Sequence, residues 1–81
     1  MDDTEILSQI KALVAEEHDL RERMGQTKPA PADEQARLRS LEESLDQCWD
    51  LLRQRRARRE AGEDPDAASA RPPGEVEGYL Q

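Results

Sequence analysis

The sequence predicts an all-α fold, a two-helix antiparallel hairpin that dimerises into a four-helix bundle and carries a disordered C-terminal tail. Three observations predict it. Apolar residues recur at three- and four-residue spacing through two long stretches, residues 3–24 and 31–61. A short linker, GQTKPA, separates them. The remainder, GEDPDAASARPPGEVEGYLQ, is rich in Pro, Gly, Ala and acids. Residues 1–61 are thus expected to form the hairpin and residues 62–81 a flexible acidic tail.

The first helix opens on Asp2, Asp3 and Glu5, acids that favour the positive end of the helix dipole. Asp2 and Glu5 have the spacing of a capping box, with Asp in place of Ser or Thr. Its apolar set is Ile6, Leu7, Ile10, Leu13, Val14, Leu20 and Met24, and Glu17 interrupts that seam. Gly25 suits the residue just past the helix end. Glu17 is placed to choose the register, or to pair with Arg37 or Arg39 across the hairpin.

The second helix begins at Pro31, a residue favoured in the first helical position, followed by Asp33 and Glu34 in the first turn. Leu38, Leu41, Leu45, Cys48 and Leu52 form its stripe, flanked by Trp49 and Leu51. Gly62 and Pro65 close it. A linker of about six residues between two long helices folds them back on each other. Antiparallel pairing then sets Ile6 near Leu52, Ile10 near Cys48 and Leu13 near Leu45.

The tail composition buries too little apolar surface to order itself. Val76, Tyr79 and Leu80 nevertheless share one face of a single helical turn, which makes them a candidate docking motif with Tyr79 as anchor.

One hairpin does not cover its own apolar surface. The apolar arcs span about 140° on the first helix and about 160° on the second. A single partner helix covers a narrower seam than that. An 81-residue chain without Phe and with one cysteine has no internal disulfide to compensate. A homodimer is the simplest way to bury the excess, so Ile6, Ile10, Leu13, Glu17, Leu20, Leu38, Leu41, Leu45, Cys48, Trp49 and Leu52 are the candidate seam and interface residues.

Charge bounds the function. The net charge is −7, yet residues 37–59 hold seven arginines against four acids. The stripe Arg53, Arg55, Arg56, Arg58 and Arg59 is the candidate nucleic-acid surface. Antiparallel pairing also brings Asp2, Asp3 and Glu5 towards it, so the reading favoured here is arginines paired within the hairpin. Nucleic acid is an unlikely partner on the acidic total. The acidic start MDDTEIL and the absence of a long apolar run point to no membrane and a cytoplasmic location, which the lone cysteine also fits.

No constellation for catalysis is present. There is no Gly-rich phosphate loop, nucleophile elbow, CxxC or paired histidine set. His18 with Glu22 supplies two ligands, too few for a metal alone. Cys48 is a packing residue that could bridge to a second copy, with nothing beside it to activate a thiol. The expectation is no enzyme and no cofactor.

The run LRSLEESLDQCWDLLRQRRARREAGEDPD, followed by RPPGEVEGYLQ and preceded by ILSQIKALVAEEHDLR, resembles a family of short uncharacterised actinobacterial proteins with a domain of unknown function. The resemblance implies a bacterial cytoplasm and a helical hairpin, and it names no functional residue. The function read from the sequence is therefore unknown in its particulars. Its class is a small self-associating helical protein acting by protein–protein contact, with a regulator touching nucleic acid through Arg53–Arg59 as the alternative.

Overall fold

A computed structural model of the chain describes residues 1–26, 28–72 and 74. Two α-helices, α1 (Asp3–Gln26) and α2 (Ala32–Glu60), fold back on each other as a hairpin, and a short 3-10 turn (Pro65–Ala67) follows. The described residues contain no strand. The hairpin makes a flat rod of 51 × 25 × 15 Å.

Local chemistry sets the helix ends. At the start of α1 the capping box closes as expected, Glu5 N–H donating to Asp2 Oδ1 at 2.8 Å and Asp2 N–H to Glu5 Oε1 at 3.3 Å. Gly25 does not stop the helix, which runs on to Gln26. α2 starts one residue after Pro31, whose fixed φ of −57° suits the entry. Its end is a Schellman turn. Gly62 takes φ +75°, Gly62 N–H donates to Arg59 O at 3.1 Å, and Glu63 N–H donates to Arg58 O at 2.7 Å. Glycine enters that left-handed region without the Cβ clash other residues meet.

The apolar core is thin. Ile6, Ile10, Leu20 and Leu41 are its buried members among the described residues. Leu13, Leu38, Leu45, Cys48 and Leu52, all expected on the seam, are half-buried, while Trp49 is exposed. Two of the buried positions are ionic, Asp50 and Arg55.

The course of the chain after α2 departs from the sequence expectation. Residues 62–72, read from composition as the start of a loose tail, turn back and run along α2. Composition measures how much apolar area a segment can bury, whereas this arm is held by charge and hydrogen bonds. Val76, Tyr79 and Leu80, the candidate docking residues, lie outside the described residues.

Candidate interaction faces

Two ion clusters fix the arm and leave one side of the hairpin open. The first joins three parts of the chain that are far apart in sequence. Arg55 projects from the last turns of α2 towards the start of α1, where its Nε donates to Asp3 Oδ1 at 2.6 Å. Its Nη1 donates to Asp66 Oδ1 at 2.9 Å and to Pro65 O at 3.2 Å. Arg59, one turn on, donates to Asp3 Oδ2 at 2.8 Å. The Arg59 and Arg55 guanidiniums hold the Asp3 carboxyl below its ordinary range, and Asp3 and Asp66 in turn strengthen the charge on Arg55.

The second cluster lies about one and a half turns earlier on α2. Asp50 is completely buried beneath the arm, where the Arg71 guanidinium takes both of its carboxylate oxygens. Gln54 Nε2, one turn along, donates to Asp50 Oδ2 at 2.9 Å and to Ser69 O at 2.8 Å. Gln47 Nε2 donates to Arg71 O at 3.1 Å. The Arg71 fork keeps the Asp50 carboxyl below its ordinary range against the opposing effect of burial. No buried side-chain polar atom among the described residues lacks a partner.

These contacts resolve the arginine stripe. Arg55 is buried in its ion cluster, Arg59 shares Asp3, Arg56 pairs with Glu60 at 3.0 Å, and Arg58 pairs with Glu63 at 3.5 Å. Arg53 is exposed beside the second cluster, lining a small cavity with Asp50, Gln54, Ala57 and Arg71. Of the three acids expected to meet the stripe, Asp3 does so through Arg55 and Arg59, while Asp2 and Glu5 cap each other. The cluster around Asp50 was not foreseen. One signal was available, since Arg71 is the single base among residues 60–81.

The remaining candidates fall out simply. Glu17 pairs with Arg21 on its own helix at 3.2 Å rather than with Arg37 or Arg39, and Arg37 reaches Glu16 at 2.6 Å. His18 lies 3.3 Å from Glu22 on an exposed surface. The Cys48 thiol faces Gln9 Oε1 at 3.7 Å, and burial pushes its pKa up, away from thiolate reactivity. Among the described residues no group of three or more His, Cys, Asp or Glu could hold a metal ion.

Two cross-helix bridges define the sides of the hairpin. Arg37–Glu16 lies on one, Arg21–Glu42 on the other, the latter at 2.9 Å. On the Arg37 side an open apolar groove runs between the helices under the arm, lined by Ala12, Leu13, Cys48, Leu51 and Ala70. On the Arg21 side, Leu7 and Val14 precede Arg21 by fourteen and seven residues, so a helical period aligns all three. Glu42, Leu45, Trp49, Leu52 and Arg56 follow the same side of α2 at alternating three- and four-residue spacing. Leu7, Val14 and Trp49 are 50%, 51% and 46% exposed there. Helix α2 thus carries the arm on one flank and an uncovered apolar stripe on the other.

No helix among the described residues is long and apolar enough to cross a membrane. The sequence is similar to uncharacterized proteins of Mycobacterium bovis and Mycobacterium tuberculosis, each 52% identical over 77 residues, covering 95% of this chain and 88% of theirs. No solved structure matches it. A family model described as a protein of unknown function (DUF2630) matches residues 2–81.

Proposed function

Because the chain belongs to the DUF2630 family, whose function is unknown, we propose its role from the surface itself: a self-associating helical protein that acts through protein–protein contact in the bacterial cytoplasm, without catalysis. The observation that carries this reading is the open side of the hairpin. Leu7, Val14 and Trp49 stand about half exposed beside a core with four buried apolar side chains among the described residues. Single exposed apolar residues are ordinary, but a row of them along one side of a thin hairpin is an interface signature. A chain of this size gains most by burying that row against a second helical pair.

The ion pairs of Arg55 and Arg59 with Asp3 and of Arg58 with Glu63 weigh against phosphate contact, since each already has an acidic partner within the chain. The lone, half-buried cysteine supports a reducing compartment. Sedimentation equilibrium at micromolar concentration tests the reading, and a dimer is the expected species. A compact helical monomer across that range would refute it. Titrating the protein against DNA and RNA at rising salt checks the alternative, because phosphate contacts weaken steeply with salt.

A further inference from the structure

The stripe on the open side of α2 has a pattern that self-association alone does not require. Reading along it gives Glu42, Leu45, Trp49, Leu52 and Arg56. Glu42 and Arg56 lie seven residues either side of Trp49, with opposite charges, and the two leucines lie four and three residues from it. Asp46 and Arg53 repeat the opposition closer in, at three and four residues. An acidic half and a basic half thus flank one aromatic centre.

We infer that two copies of the chain pack α2 against α2, antiparallel, about a two-fold axis at Trp49, so that Glu42 of each meets the partner's Arg56. This deepens the self-association reading and rests on it. A two-fold interface presents the same patch twice, and residue i meets j while j meets i. Running the stripe backwards against itself matches acid to base at both ends and apolar to apolar in the middle. A parallel arrangement would set Glu42 against the partner's Glu42 and Arg56 against the partner's Arg56, which repels at both ends. The antiparallel one has none of these clashes.

The second copy is favoured as occupant on two further counts. The arm of this same chain is fixed to the other flank of α2 by the Arg71–Asp50 pair and by Gln54 and Gln47. On α1, Leu7 and Val14 stand on the open side and widen the apolar strip that the partner's Trp49 would meet. Trp with a charged surround is the composition of a binding hot spot, an apolar centre ringed by polar groups that exclude water.

Reciprocal charge reversal tests the register. Glu42→Arg and Arg56→Glu each place like charges at two symmetric contacts, so each variant alone should dimerise on the order of ten-fold more weakly. Mixed in equal amounts, the two variants form a heterodimer in which both contacts are again opposite in sign. Sedimentation of the mixture should therefore recover wild-type affinity. Asp46→Arg with Arg53→Glu repeats the test without disturbing the Arg21–Glu42 bridge, Asp50→Asn is the control for the loss of Arg53 beside the Asp50–Arg71 cluster, and circular dichroism confirms that each variant is folded. Recovery in either mixed pair supports the inference.

A wild-type dimer whose affinity none of the four reversals changes, or which neither mixture restores, overturns this register and leaves self-association standing. A wild-type chain that stays monomeric overturns both. In that case a blue-shifted Trp49 emission that turns red when residues 75–81 are deleted would identify the chain's own C-terminal segment as the occupant.

Discussion

Asp50 occupies a place where a carboxylate has no water to fall back on. It is buried, and its charge is balanced by Arg71, which itself stays 37% exposed. A pair open to solvent on one side contributes less than a fully enclosed one. Asp50→Asn should cost about 1.5–3 kcal/mol in chemical denaturation, the range for a hydrogen bond to a charged group. Acid should act through the same residues. Asp3 and Asp50 are both held below the ordinary aspartate value of 3.8. For such a group the unfolded chain takes up protons first as pH drops, so the stability it contributes is full above the ordinary value and is lost as pH falls through the lowered one. A melting temperature measured against pH should be level above about 5 and fall steeply below about 4. Asp50→Asn should flatten that acid limb. An acid limb unchanged by the substitution would show that other carboxylates control it.

At the scale of helices and turns, the thinness of the core concentrates its energetics. Leu41 is enclosed within one hairpin, so Leu41→Ala should destabilise by about 2–5 kcal/mol at any protein concentration. Leu45 is half-buried at the edge of the open stripe. The loss from Leu45→Ala should therefore grow with protein concentration, because binding that favours the folded chain adds to stability by mass action. Equal, concentration-independent losses at both positions would place Leu45 inside the hairpin instead. The helices themselves were legible in the sequence. Apolar spacing located α1 and α2 to within about two residues, and the Asp2–Glu5 box was readable because capping depends on residues close in sequence. Gly25 misled, since glycine permits a helix stop without requiring one and the linker prolines lie further on. The arm was not legible. Its order rests on Asp50, Gln54 and Arg71 meeting across some twenty residues, which no local pattern reports. The open stripe was half legible, as the width of the apolar arcs showed that surface would remain but not which flank would carry it.

Across the whole molecule the arm divides the last twenty residues into parts with different duties. A chain ended after Ala61 loses Asp66 and Arg71, and so uncovers Asp50 to solvent and leaves Arg55 with one carboxylate fewer. It should melt well below the full chain. A chain ended after Gly74 keeps every contact described above and should melt with it, and equal melting of both truncations would mean that the arm contributes nothing. The clamp between Asp3, Arg55 and Arg59 has a further consequence, for the order in which the molecule assembles. The Asp3–Arg59 bridge joins residues 56 apart, whereas the first contacts beside the linker join residues 21 apart, as in Arg37–Glu16. Closing a chain segment costs more entropy the longer it is. Zipping should therefore start at the linker and travel towards the clamp, which closes after the rate-limiting barrier is crossed. Contacts made that late alter the escape rate from the native state and leave the approach to it untouched. In stopped-flow measurements Asp3→Asn should speed unfolding while refolding keeps its wild-type rate, so the bridge between the chain's beginning and the end of α2 acts as a latch on the lifetime of the fold.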